Sequence, residues 1–166
     1  DICKASDLAV GGFYRYFSGK EDVLKDIVAD LGGKLSEKLA SPPHAETAEG
    51  EIRAVAGRYF AFVEENKAFY QTLREAEFVC DEVLRRFNSS IAAAIAARLS
   101  AYRKDRAACE RSAFALLGIL QFYSAKFIIW EGGKVPAGAM DELAAIIARG
   151  AGPSGTFRPH LVKTRG

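Results

Sequence analysis

The stretch Ala9-Val10-Gly11-Gly12-Phe13-Tyr14-Arg15-Tyr16-Phe17-Ser18-Gly19-Lys20-Glu21 is the most informative part of the chain. It reads as a short helix, a tight break and the start of a longer helix. Phe13 and Phe17 lie four residues apart, so on a helix they share a face and can anchor it to a core. Tyr14, Arg15 and Tyr16 then project elsewhere. Two phenols and a guanidinium on one exposed turn can hydrogen-bond phosphates and reach base edges. Gly11 and Gly12 remove side-chain bulk and let the backbone approach another surface. Lys20 falls in the first turn of the next helix, where its ammonium and the free backbone N–H groups can hold a phosphate together. Ser18 and Glu21 have the spacing of a capping box.

Working outward, the apolar spacing is helical almost everywhere. Val23, Leu24, Ile27, Val28, Leu31 and Leu35 recur at three and four, and Ser41-Pro42-Pro43-His44 ends that helix. The next helix places Ile52, Val55, Ala56, Tyr59 and Val63 on one face, and Asn66 separates it from a shorter helix running from Lys67 to about Phe78. Another helix, from about Asp81 to Tyr102, carries the stripe Val83, Leu84, Phe87, Ile91, Ile95 and Leu99. Asp105 is the N-cap candidate of the following helix, about Arg106 to Trp130. That helix turns apolar almost all round after Ala113, which predicts burial on several sides. Gly132-Gly133 stop it. Pro136 opens a last helix with Met140, Leu143, Ile146 and Ile147 on its face. No strand pattern competes, so the predicted fold class is all-α.

The 166 residues are 49% hydrophobic and 27% charged, enough for a sizeable core and against intrinsic disorder. The net charge is only +2, and the first forty residues hold six Lys/Arg and seven Asp/Glu, so any nucleic-acid surface has to be local. Cys3, Cys80 and Cys109 are far apart with no CxxC pair, so a zinc site or disulfide framework is not expected and a reducing cytoplasm fits. Apolar runs stay short of a membrane span. Ala113 to Trp130 comes closest, but Gln121 and Lys126 interrupt it. H-E-x-x-H, a P-loop and G-x-S-x-G are absent. His44 and His160 have no Ser, Asp or Cys partner at useful spacing, and Glu64-Glu65 reads as a solvated helix end. No catalytic residue, metal ligand or cofactor is expected.

The opening stretch resembles the recognition helix of the tetracycline-repressor family of transcriptional regulators, whose pattern is close to D-I-A-x-x-A-G-V-S-x-G-T-F-Y-x-Y-F-x-S-K-E-x-L. Asp1-Ile2-Cys3-Lys4-Ala5-Ser6-Asp7-Leu8 lines up with the family's second helix and turn, and the F-Y-x-Y-F-x-x-K-E core is shared. The resemblance implies a partial helix-turn-helix head with its connecting helix over residues 1–40, lacking the family's first helix. It further implies a ligand-binding and dimerisation domain over 45–150 and a tail over 151–166. In the head, Ala9, Val10, Gly11 and Gly12 would face the major groove, and Tyr14 and Tyr16 would contact phosphates and bases. Arg15 would be a variable position within reach of DNA, and Lys20 the phosphate-binding lysine. Asp7 stands where the family has its turn glycine, Ala9 replaces its capping Ser, and Gly12 replaces its Thr. The last two changes remove a phosphate contact and a base-reading side chain.

For the body, the resemblance implies an apolar pocket for a small apolar or aromatic effector. The candidate lining is Tyr59, Phe62, Tyr70, Phe87, Phe114, Phe122, Tyr123, Lys126 and Trp130. Lys126, inside the most apolar helix, must snorkel, pair with an acid or face a ligand. The last two helices would form a homodimer, a four-helix bundle across a two-fold axis, using Leu116, Leu117, Leu120, Phe127, Ile128, Ala144, Ile146 and Ile147. The implied function is a cytoplasmic regulator that binds double-stranded operator DNA and is released by its effector. The alternative is a helical ligand-binding and dimerising module that does not bind DNA.

Overall fold

The computed structural model describes residues 19–41 and 43–150. Ala9, Val10, Gly11, Gly12, Tyr14, Arg15 and Tyr16, the Lys20 side chain and the tail 151–166 lie outside the described residues. Within them the fold is all-α: α1 (Lys20–Ala40), α2 (Ala48–Glu65), α3 (Lys67–Val79), α4 (Asp81–Leu99), α5 (Arg106–Tyr123), which continues as a π-helical segment (Ser124–Trp130), and α6 (Ala137–Gly150).

The other helices gather around α2. It packs against α1, α3, α4, α5, the π-segment and α6. Its predicted stripe of Ile52, Val55, Ala56, Tyr59 and Val63 is buried, but so are Glu51, Phe60 and Phe62. A single-stripe reading underestimates this helix because α6 returns along it and closes a further side. Elsewhere α1 lies along α4, and α4 along α5.

Local signals set the boundaries. The Thr47 hydroxyl accepts from the Gly50 N–H at 3.1 Å, the N-cap bond that starts α2. The Asn66 amide donates to the Phe62 carbonyl at 2.9 Å and separates α2 from α3. Asp105 caps α5 by accepting from the Ala108 N–H at 3.0 Å, as its position in the sequence predicts. Gly19, which brings no side-chain cap, precedes α1, and the Ser18 half of the expected capping box lies outside the described residues. The helix expected to reach Tyr102 ends at Leu99, and turns then carry Tyr102 back towards the α1–α2 loop. Gly132, at φ 67°, takes the left-handed conformation that ends the π-segment cleanly.

The last two helices need a correction. Leu116, Leu117, Leu120, Ile128, Ala144 and Ile147, offered by the sequence to a dimer, are buried inside this chain. The apolar side chains left outside are Phe114 (54% exposed), Phe122 (70%), Trp130 (66%) and Ile146 (64%). Arg106–Trp130 is therefore apolar on two faces, one spent on its own core and one facing outward. Its length and composition would also suit a membrane crossing, yet Leu116, Leu117, Leu120 and Ile128 are all committed to the core.

Candidate functional site

Tyr59 and Phe62 from α2, Tyr70 from α3 and Phe87 from α4 converge with Leu35 of α1 around a small void. The rings of Phe62, Phe69 and Phe87 continue edge to face, with centroids 6.3 and 5.9 Å apart. The void is only about 10 Å³, room for roughly one water molecule. Ligand pockets run to about 300–1,000 Å³, so these predicted lining residues form packed core here rather than a pocket.

The polar atoms around it differ in how they are used. The Tyr70 hydroxyl donates to the Gln121 carbonyl, and the Gln121 amide donates to Asn88 Oδ1 at 2.8 Å. Tyr59 is 1% exposed, and among the described residues the buried side-chain polar atom left without a partner is Ser124 Oγ. Burial, reinforced by the neighbouring Tyr70 phenol, pushes Tyr59 far above its ordinary value of 10.0 and keeps it neutral. Burial also raises Tyr70, partly offset by the Arg74 guanidinium.

Phe87 has a second side. A groove of about 570 Å³ runs between α1 and α4, and Phe87 lines both this groove and the inner void. Gly32, Gly33, Ser36 and Ser90 leave its walls low, while Lys25, Asp26, Glu82 and Arg86 line its charged parts. A β-carbon at Gly32 would sit 3.1 Å from the Phe87 ring, so the ring lies directly against the α1 backbone. Another groove, about 470 Å³, lies between α4 and α5 over Ala92, Ala93, Ala96 and Ala97, with Phe114 beside it.

Of the nine side chains predicted to line a pocket, Tyr59, Phe62, Tyr70 and Phe87 meet at the void. Phe114, Phe122 and Trp130 face outward, and neither Tyr123 nor Lys126 lines the void. Tyr123 packs edge to face on Phe127 at 5.6 Å. Lys126 is 54% exposed; its ammonium lies 2.7 Å from Glu131 and 5.1 Å from the Phe127 ring centre. The cause is helix phase. The core side of α5 is read by Ala113, Leu116, Leu117 and Leu120, which turns positions 114 and 122 outward.

Sequence reasoning missed a buried ionic cluster at the α1–α2 loop. Glu51 is fully buried, and Arg98 Nε lies 2.6 Å from its Oε1. The Ala45 N–H at 2.8 Å and the Tyr102 hydroxyl at 2.9 Å donate to its Oε2. His44 Nδ1 is 3.4 Å from the same oxygen. Arg98 also donates to the Pro43 carbonyl at 2.8 Å and the Ala40 carbonyl at 3.2 Å. Burial alone would raise the Glu51 carboxyl. The bonds from Arg98, Ala45 and Tyr102 outweigh it and hold the group below its ordinary value. With its oxygens so occupied, Glu51 acts as a fastener between loop and helix rather than as an acid or base. The only sequence hint is that Glu51 and Arg98 each adjoin an apolar stripe; nothing in the spacing pairs two residues so far apart.

Among the described residues, no three His, Cys, Asp or Glu side chains gather to hold a metal ion. No family model matches the chain, and no curated protein matches it significantly.

Proposed function

We propose that the chain belongs to a ligand-responsive transcriptional regulator of the tetracycline-repressor type, which binds operator DNA as a homodimer and leaves it when a small effector occupies the helical body. The observation that carries this reading is the run Phe13-Tyr14-Arg15-Tyr16-Phe17-Ser18-Gly19-Lys20-Glu21, which leads directly into α1. Two features of the fold support it. α1, the helix continuous with that run, contributes Leu35 to the aromatic void and one wall to the groove beside it. The outward face of α5 and α6 leaves Phe114, Phe122, Trp130 and Ile146 in water. Covering a large apolar side chain is worth roughly 1.5–3 kcal/mol, so pairing with a second copy is favoured there.

The test is a gel shift of the full-length protein on the DNA upstream of its own gene. Sequence-selective, salt-sensitive binding is expected. Lys20→Ala should weaken it on all sequences and reduce the salt slope by about one. Binding that ignores sequence, or no binding at all, removes the repressor reading. A second reading, a ligand-binding and dimerising module without DNA binding, draws on Ala9 and Gly12, which lack side chains to cap or read. The same assay separates the two.

A further inference from the structure

We propose that Arg103 and Arg111 form an anion site on the α5–α6 surface, and that it takes a small organic carboxylate whose apolar body lies over Ala115, Ile146 and Ile147. The site shares no residue with the aromatic void and does not rest on the reading above.

Two unspent charges lead here. Arg53, Arg85, Arg86, Arg98 and Arg106 each meet a carboxylate, at 3.2 Å or less. Arg103 and Arg111 have no acidic partner among the described residues. Both nevertheless line one groove of about 310 Å³ between the first half of α5 and the last turns of α6. No Asp or Glu lines that groove. Asp105, beside Arg103 in the chain, is turned to the Ala108 N–H as the N-cap of α5. The chain after α6 brings no acid either, since residues 151–166 contain no Asp or Glu. Two guanidiniums on one groove repel each other. An anion between them replaces that repulsion with charge-assisted hydrogen bonds.

The rest of the lining sets the class of anion. Ser112 adds a hydroxyl, while Ala108, Ala115, Ile146 and Ile147 are apolar. Ile146 is 64% exposed, so a ligand has apolar surface to cover. Inorganic phosphate would meet the arginines and leave Ile146 wet. A neutral ring would cover Ile146 and leave the arginines unpaired. A carboxylate carried on a ring or a short branched chain uses both ends, and its two oxygens match the arginine fork. The volume falls at the lower end of ligand pockets, about 300–1,000 Å³, so the ligand is small.

The experiment titrates the full chain with benzoate, benzamide and inorganic phosphate at constant ionic strength, following the methyl NMR signals of Ala115, Ile146 and Ile147. Benzoate is expected to shift these signals saturably, at one per chain. Benzamide, of the same shape but uncharged, should bind at least about tenfold more weakly. Phosphate should also bind more weakly and leave the Ile146 signal in place. Arg103→Gln and Arg111→Gln should each weaken benzoate by about tenfold, the loss of one charge-assisted contact. Arg111→Lys, which keeps the charge without the fork, should recover part of that loss. Equal affinity for benzoate and benzamide overturns the proposal, and so does phosphate binding as tightly as benzoate. The absence of a saturable shift, or an affinity unchanged in both Gln variants, overturns it too. Sedimentation of the double Gln variant should match the wild type. A fall to a smaller species would give the arginines to the acids of a second copy, and the carboxylate site would be lost.

Discussion

The Glu51 carboxylate sits wholly inside the fold and is still kept ionised, because Arg98, the Ala45 N–H and the Tyr102 hydroxyl all reach it. Its folded value lies below the ordinary 4.5, so the stability it contributes is complete above about pH 4.5 and is lost as pH falls through the lower folded value. Urea melts between pH 7 and pH 3 should show that acid loss. Glu51→Gln is expected to cost about 3–5 kcal/mol at neutral pH, by leaving Arg98 buried without its counter-charge, and to flatten the acid slope. An unchanged slope in the variant would show that the acid loss arises elsewhere. Tyr59 makes the opposite case. No hydrogen bond ties its hydroxyl to the described residues, so Tyr59→Phe should be neutral or stabilising by up to about 1 kcal/mol in a thermal melt. A clear loss of stability would mean that the hydroxyl is bonded after all.

The helices themselves were largely legible. Apolar residues at three and four mark each one, and Asp105, Asn66 and Gly132 act at the boundaries their chemistry suggests. What the pattern withheld was direction. Around α5 nearly every position is apolar, so periodicity shows that the helix is covered without showing which face its own chain covers. Leu116, Leu117 and Leu120 went inward, and Phe114 and Phe122 outward. That assignment depends on where α4 and α6 arrive, a long-range fact. The same limit hid the Glu51–Arg98 pair and split the predicted pocket lining in two. The outward face has its own consequence. Sedimentation is expected to show a dimer for the wild type and a monomer for Phe122→Ser combined with Trp130→Ser, with helix content unchanged. A double variant that still dimerises would move the interface away from α5.

For the molecule as a whole, the arrangement around α2 places the two ends of α1 under different constraints. Near its C-terminal end, Arg98 and Arg58 hold the Ala40, Leu39 and Pro43 carbonyls, and Lys38 pairs with Glu65 at 2.8 Å. The aromatic void and the groove lie further along the helix, towards Lys20. In the regulator proposed above, α1 would act as an arm with its fulcrum at that C-terminal end, and moving it would mean loosening Val23, Leu24 and Val28, which are buried along it. At ~1.5 Å per residue its 21 residues reach about 31 Å, so a tilt of roughly 5° at the pinned end carries Lys20 by about 3 Å. A push part-way along such an arm would be magnified by the time it reached the first turn of α1. The buried ion pair would then serve that regulator as the pivot against which the helix turns.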